Sequence, residues 1–305
     1  MTGQWSFSRG VAEIGAVLFM GLCAAVLPGC KTTAVHSNPR RPVPPYSEIV
    51  EKCNARTDRL ARIWAGAVTS FTWKDEDGRS HYEQGNGFFE LVQPSNFALD
   101  IGKVGEVAMW MGCNQDRYWL IERGDKRVAR VGRHDGPGVE RLKDLGFPGT
   151  PKDLIDLAGV TPLPPNDKPV EIGWTDGGLW RVVHDEPYGQ LVRELDPDTG
   201  EPRKIEILNE DGQVRILSKL DKYGPVELEG VGGYFPMIAT QIIVEDLDNS
   251  SKMQISLERM SDGIRGARVP RLTPEIFQFE KLCQRLGVQR VIDLDAPVPV
   301  PVDDR

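Results

Sequence analysis

A long succession of short alternating segments, each closed by an acidic or glycine-rich turn, limits this chain more than any other feature. Residues 68–73 alternate and run into Asp75-Glu76-Asp77-Gly78, and 81–92 follow. Phe97-Ala98-Leu99-Asp100-Ile101 alternates cleanly and ends at a turn over 102–105; segments 107–112, 118–122 and 127–131 continue the series. After an interruption, 170–174 and 179–184 flank Thr175-Asp176-Gly177-Gly178. Segments 189–195 and 202–208 flank Asp196-Pro197-Asp198-Thr199-Gly200, 213–223 follows Asn209-Glu210-Asp211-Gly212, and 240–247 and 253–259 come last. Period-two patterning broken by short turns builds successive antiparallel strands. A doubly wound fold would need a helix after each strand, and these turns leave no room for one. The expected class is therefore mainly β (α+β): a large curved antiparallel sheet, or half-open β-barrel, with helices in its mouth.

Helical spacing is confined to a few places. Ile49, Cys53, Leu60, Ile63, Trp64 and Ala67 fall close to one helical stripe, which predicts a helix over 46–67 with Ser47 as a cap. Residues 137–145 and 151–158 read as two short helices split by Phe147-Pro148-Gly149, a helical insert over about 137–158; the proline-rich 160–169 reads as irregular. Thr273-Pro274 opens a last helix through Ile276, Phe279, Leu282, Cys283 and Leu286, closed by Gly287.

The start of the chain is different in kind. Ile14 to Leu27 is apolar but shorter than the ~20 residues of a membrane-spanning helix, and has the length of a signal-peptide core. Leu27-Pro28-Gly29-Cys30 resembles a bacterial lipobox. That resemblance implies a signal peptide over 1–29, lipid on Cys30, and a membrane as partner through that anchor; an ordinary secretory signal is the alternative. Pro39, Pro42, Pro44 and Pro45 make 30–45 an extended tether. The folded domain is expected over 46–294, with a proline-rich tail over 295–305.

Composition removes several classes of function. The net charge is −8, and Arg40-Arg41 is the one basic pair of note, so nucleic acid is not an expected partner. Beyond Cys30 the mature chain has Cys53, Cys113 and Cys283, without a CxxC; a Cys53–Cys283 bridge and three buried thiols are both open readings. His134-Asp135 and His184-Asp185-Glu186 place acids beside histidines, yet neighbours on a strand point to opposite faces and do not converge on a metal. Asp196 to Glu201 resembles a calcium loop, but the twelfth position is Ile207, and a hairpin turn fits better. No GxSxG, HExxH or phosphate-binding glycine loop occurs. No cofactor and no enzymatic activity are expected.

Three stretches then carry a resemblance. "GNGFFELVQPSNFALDI" and "CNQDRYWLI" in the first half, and "GGLWRVVHDEPYGQLVRELDPDTGEPRKIEILNEDGQVRILSKLDKY" in the second, repeat one pattern. A glycine-led strand, a proline before the next strand, and a short turn before an aromatic strand recur. Over about residues 57–258 the chain resembles the lipoprotein-localisation factor superfamily of the LolA and LolB type. The resemblance implies an apolar cavity that takes acyl chains, with the helix from Tyr46 and the pair within 137–158 as plug and lid. It implies an acylated lipoprotein or lipid as ligand. Residue Lys31, where a retention signal would have Asp, points to the periplasmic face of the outer membrane. A periplasmic sensory or protein-binding module on a similar sheet is the alternative.

The residues expected to line such a cavity are Trp64, Phe71, Trp73, Phe97, Leu99, Ile101, Met109, Met111, Trp119 and Ile121, large and adaptable side chains from consecutive segments. A solid core made by the same ten is the competing reading. Trp110 and Phe88 alternate to the opposite face. Tyr234-Phe235-Pro236, after Gly232-Gly233, is a hydrophobic loop-tip candidate, with a buried loop plug as its alternative.

Overall fold

The computed structural model describes residues 42–297 apart from 75–77, 104–105, 124–126, 144–147, 167–168, 188 and 265–272. The signal peptide, the lipobox with Cys30, the tether up to residue 41 and the tail from 298 lie outside the described residues. A helix α1 (Tyr46–Thr57) leads into six strands: β1 (Arg62–Lys74), β2 (Ser80–Val92), β3 (Asn96–Lys103), β4 (Glu106–Cys113), β5 (Arg117–Arg123) and β6 (Arg127–Arg133). Helices α2 (Gly138–Lys143) and α3 (Pro151–Leu157) interrupt the series. Seven strands follow: β7 (Glu171–Trp174), β8 (Trp180–Glu186), β9 (Gly189–Leu195), β10 (Pro202–Leu208), β11 (Val214–Pro225), β12 (Met237–Asp246) and β13 (Ser251–Ser261). A 3-10 turn (Pro274–Phe277), helix α4 (Phe279–Leu286) and β14 (Arg290–Asp293) complete the order.

All the strands belong to one open sheet, in the order β14-β6-β5-β4-β3-β2-β1-β13-β12-β11-β10-β9-β8-β7. Two antiparallel meanders meet at the β1–β13 seam, and β14 adds a parallel ladder to β6. The expected large curved sheet is the fold observed. Its curvature follows from one helix. Seven residues of α3 reach ~10 Å, yet α3 touches β3, β4 and β5 and also β10. Between β5 and β10 lie β4, β3, β2, β1, β13, β12 and β11, a span of ~38 Å at ~4.8 Å per strand if the sheet were flat. The sheet therefore curls around α3.

The first helix is shorter than its spacing predicts. It stops at Thr57, and Trp64 lies on β1. From Ile63 the run Ile-Trp-Ala-Gly-Ala-Val-Thr is β-branched and aromatic, and Gly66 costs a helix interior ~1 kcal/mol. Ladders to β2 on one side and β13 on the other satisfy this backbone better than an isolated helix would. Ser47 lies inside α1 and makes no cap; the N-cap is Pro45. Cys53, Cys113 and Cys283 are free thiols, and the Cys53–Cys283 bridge is not formed. Asp196 accepts backbone N–H bonds from Asp198 (2.9 Å) and Thr199 (3.2 Å), the geometry of a hairpin turn.

Candidate functional site

The inner face of the curl carries the main core. Ala65, Ala67 and Phe71 of β1, Phe89 and Leu91 of β2, Phe97 and Leu99 of β3, and Met111 of β4 are buried together. Across the seam they meet Met253 and Ile255 of β13, Ile242 of β12, Ile216 and Leu220 of β11 and Ile205 of β10. Leu154, Ile155 and Leu157 of α3 fill the space between.

The ten expected lining residues are divided by strand register. The β1–β2, β2–β3 and β3–β4 pairings keep odd-numbered residues on one face: Phe89 opposes Leu99, Leu99 opposes Met111, and Ile101 opposes Met109. Phe71, Trp73, Phe97, Leu99, Ile101, Met109 and Met111 therefore share the inner side, with Phe71 and Trp73 stacked at 4.9 Å. The turn between β4 and β5 reverses the parity, since Met111 opposes Leu120 and Trp110 opposes Ile121. Trp119 and Ile121 thus belong to the outer face, beside Trp110, Phe277, Phe279 and Leu282 under α4. Trp64 is on the outer side too, its ring tilted against Phe88 at 5.2 Å. The single lining surface drawn from sequence is corrected here: one register step moves a whole strand to the other face. Leu120 and Tyr118 take the inner places instead.

The inner face is closed by α3, and α3 is held unevenly. Its N-terminus has a capping box: the Thr150 hydroxyl accepts from Asp153 N–H (3.2 Å), and the Asp153 carboxylate accepts from Thr150 N–H (2.8 Å). These bonds are internal to the segment. Around this end, Pro148, Gly149, Pro151 and Leu154 face Met111, Leu120 and Met253 across an apolar hollow of about 10 Å³. That is room for about one water, against roughly 300–1,000 Å³ for ligand pockets.

The C-terminal end is tied to the sheet and to α1. Ser218 donates to the Leu157 carbonyl (2.6 Å), Arg56 to the Gly159 carbonyl (2.8 Å), and Gln93 to the Val160 carbonyl (2.8 Å). Arg56 also reaches the Met237 carbonyl (3.2 Å), and burial pulls its guanidinium below the usual range. Asn54 exchanges two 2.8 Å bonds with the backbone of Leu163. Gly159 has φ +69°, and a Cβ there would stand 2.6 Å from Pro202, so only glycine fits this corner. Helix α1 is the second support: Ile49, Val50 and Cys53 pack on Trp174, Trp180, Val182 and Leu195 at the β7–β9 end. Burial pushes the Cys53 thiol up to about 11, so it stays a protonated apolar group.

Two other depressions are lined in part by carboxylates. Glu227, Glu229, Asp262 and the glycines around Val231 line about 400 Å³ beside the exposed Tyr234, which stands out from the loop and does not plug it. Asp185, Glu186, Glu210 and Asp211 line about 490 Å³ between two hairpin tips. Among the described residues no three His, Cys, Asp or Glu side chains converge on a metal position, and no helix is long and apolar enough to cross a membrane.

By sequence, no family model and no curated protein matches this chain. By structure, a DUF1329 family protein from Desulfovibrio piger is similar at 11% identity, with 77% of this chain and 97% of that one covered and a TM-score of 0.51. A domain from Vibrio parahaemolyticus assigned by name to outer membrane lipoprotein sorting is similar at 13% identity, with the same 77% and 97% covered and a TM-score of 0.50. A LolA superfamily protein from Nitrosomonas europaea aligns at 12% identity over 76% of this chain and 96% of its own, with a TM-score of 0.46. The likeness is one of fold, shared with the Desulfovibrio piger and Vibrio parahaemolyticus proteins.

Proposed function

We propose that this LolA-like chain is a non-enzymatic protein of the diderm cell envelope that binds acyl chains on the inner face of its sheet. In this reading Cys30 carries the lipid anchor, the anchored body faces the periplasm from the outer membrane, and the guest is an acylated lipoprotein or lipid. One observation carries the proposal: α3 fills the hollow, and among the described residues its hydrogen bonds to the sheet and α1 gather at one end. The segment swings about 157–160, and the stretch from its capped N-terminal end through Asp156 leaves the sheet. The inner residues Met109, Met111, Leu120 and Met253 then become the receiving surface.

The energetics permit the exchange. Exposing Leu154, Ile155 and Leu157 costs roughly 1.5–3 kcal/mol each. An acyl chain of about sixteen carbons returns ~0.8 kcal/mol per buried methylene, on the order of 12 kcal/mol. The guest therefore replaces α3 without covalent chemistry.

Every sheet pairing is made within residues 62–293, so a chain starting at Pro42 carries the complete fold. The test is titration of that chain with a fluorescent fatty acid and a fluorescent acylated peptide. Saturable binding is expected, with a faster on-rate in Gln93→Ala, which removes one tie on α3. Absence of binding to either probe, with circular dichroism unchanged, would overturn the proposal. A second reading, a protein-binding module without ligand transfer, draws on the exposed Val231, Tyr234 and Ile264 around the acidic depression.

A further inference from the structure

One residue on the inner face does not belong to an apolar floor. Arg193 of β9 is 6% exposed. Its own-strand neighbours on that face, Leu191 and Leu195, are buried, and its cross-strand neighbours are Val182 on β8 and Ile205 on β10. A guanidinium stays charged in any protein environment, so its place in the floor must be compensated. Among the described residues its one ion pair is with a carboxylate on α3: Arg193 Nη2 lies 3.4 Å from Asp156 Oδ1, the long end of such a pair, and Glu186 on β8 also feels its charge. Asp156 sits in the last turn of α3, where the helix dipole opposes an acid. Burial raises its carboxyl above the usual range, although Arg193 pulls the other way. Lys152 and Asp153 on α3 and Glu186 on β8 are the other charges within reach of it.

Asp156 belongs to the moving segment and Arg193 to the fixed floor. Opening that displaces Asp156 strands a buried cation, and breaking one partner out of such a pair is costly. An incoming anion removes that cost. Resting on the acyl-binding reading, we infer that Arg193 is the docking point for an anionic head group, carboxylate or phosphate, which takes the place of Asp156. The preferred guest is then a single-chain anionic amphiphile, and its head releases the cover that its tail replaces. The planar guanidinium suits both oxyanions in bidentate fashion.

The test uses the chain from Pro42 and three sixteen-carbon competitors of a fluorescent fatty acid: palmitic acid, a lysophosphatidic acid, and methyl palmitate. The acid or the phosphate, or both, should bind at least about tenfold tighter than the ester. Which of the two is favoured distinguishes a free fatty acid from a phospholipid head. Arg193→Gln should erase that preference, with the ester binding at least as tightly as before, since its entry then strands no cation. Asp156→Asn should tighten the anionic ligands, and Arg193→Lys, which keeps the charge if the glutamine variant does not fold, should retain a reduced preference. Equal affinity for ester and anions in the unaltered chain, or a preference that survives Arg193→Gln, would overturn the head-group site and leave acyl binding standing. Failure of all three to bind would overturn both.

Discussion

The two meanders share an inner face and differ on the outside. Across β7–β13 the outer face is wet: Glu194, Lys204 and Glu206 form a ladder at 3.0 and 2.9 Å, and Lys252 and Lys219 flank Glu245 at 2.9 and 3.6 Å. Only Val183, Val192 and Leu208, with Val214 against them, make a small apolar patch there. Across β3–β6 the outer face is dry, because the 3-10 turn and α4 lay Ile276, Phe277, Phe279 and Leu282 over Ala98, Trp110, Trp119, Ile121 and Ala129. Arg285 sits over the Trp110 ring at 5.9 Å, and Arg127 donates to the Leu286 carbonyl. An antiparallel sheet can leave one face in water where its sequence alternates; where it does not, it needs another layer.

The sharpest way to break this comparison is to remove one aromatic from the dry side. Trp119→Ala should cost ~3–5 kcal/mol in urea unfolding, as large-to-small changes in a packed core do. Val192→Ala, in the small patch of the wet side, should cost well under half of that.

Next in size is pH. The dry side hides two carboxyl groups. Burial, then Asp100, pushes Glu90 up to about 7 against the pull of Arg285. Burial pushes Asp100 up to about 6, against the Phe88 N–H it accepts at 2.7 Å and against Arg285. Both groups hold their protons more tightly folded than unfolded. Their stabilising effect is complete below their ordinary values of 4.5 and 3.8 and is lost as pH rises through about 6 to 7. Stability should therefore fall between about pH 4 and about pH 7 by on the order of 3 kcal/mol and then level off. Glu90→Gln should flatten the profile, and a flat profile in the unaltered chain would contradict the dry character of this face.

On the shared inner side, Ser218→Ala leaves the Leu157 carbonyl without its donor. A loss of ~1–3 kcal/mol is expected, together with faster amide exchange over 150–160 and no change in β3–β6. The smallest effect belongs to the wet side. Lys204→Ala should cost at most ~1 kcal/mol and less at high salt, despite its two ion pairs.

The same contrast explains what was legible beforehand. In β10, Pro-Arg-Lys-Ile-Glu-Ile-Leu shows its wet face as charges between aliphatics, and the strand and its turns were readable as such. In β4, Val-Ala-Met-Trp-Met-Gly is apolar on both parities. That is the mark of burial on both sides, yet the sequence reading only set Trp110 on the opposite face and did not say what covers it. The inner seven of the ten lining residues followed from alternation within strands. Trp119 and Ile121 were misplaced because parity across a turn depends on its backbone geometry, which residue types around Asn114-Gln115-Asp116 do not dictate. Trp64 was misplaced because a stripe at 60, 63, 64 and 67 suits a helix locally, while the partners that decide the matter, β2 and β13, lie far along the chain. In sequence, Arg193 looks like any other charge on a strand. Its burial comes from α3, more than thirty positions away, and no local signal announces that.

The parallel strand β14 has a consequence for how the molecule is made. The N-terminal meander takes its border strand, and the helix over its tryptophans, from residues that leave the ribosome long after it. Until then β6 presents a bare ladder, and Trp110 and Trp119 face solvent or a chaperone. The seam between β1 and β13 is accordingly no place to cut: a fragment ending near residue 133 would lack its lid and its border, and would seek both from neighbouring copies.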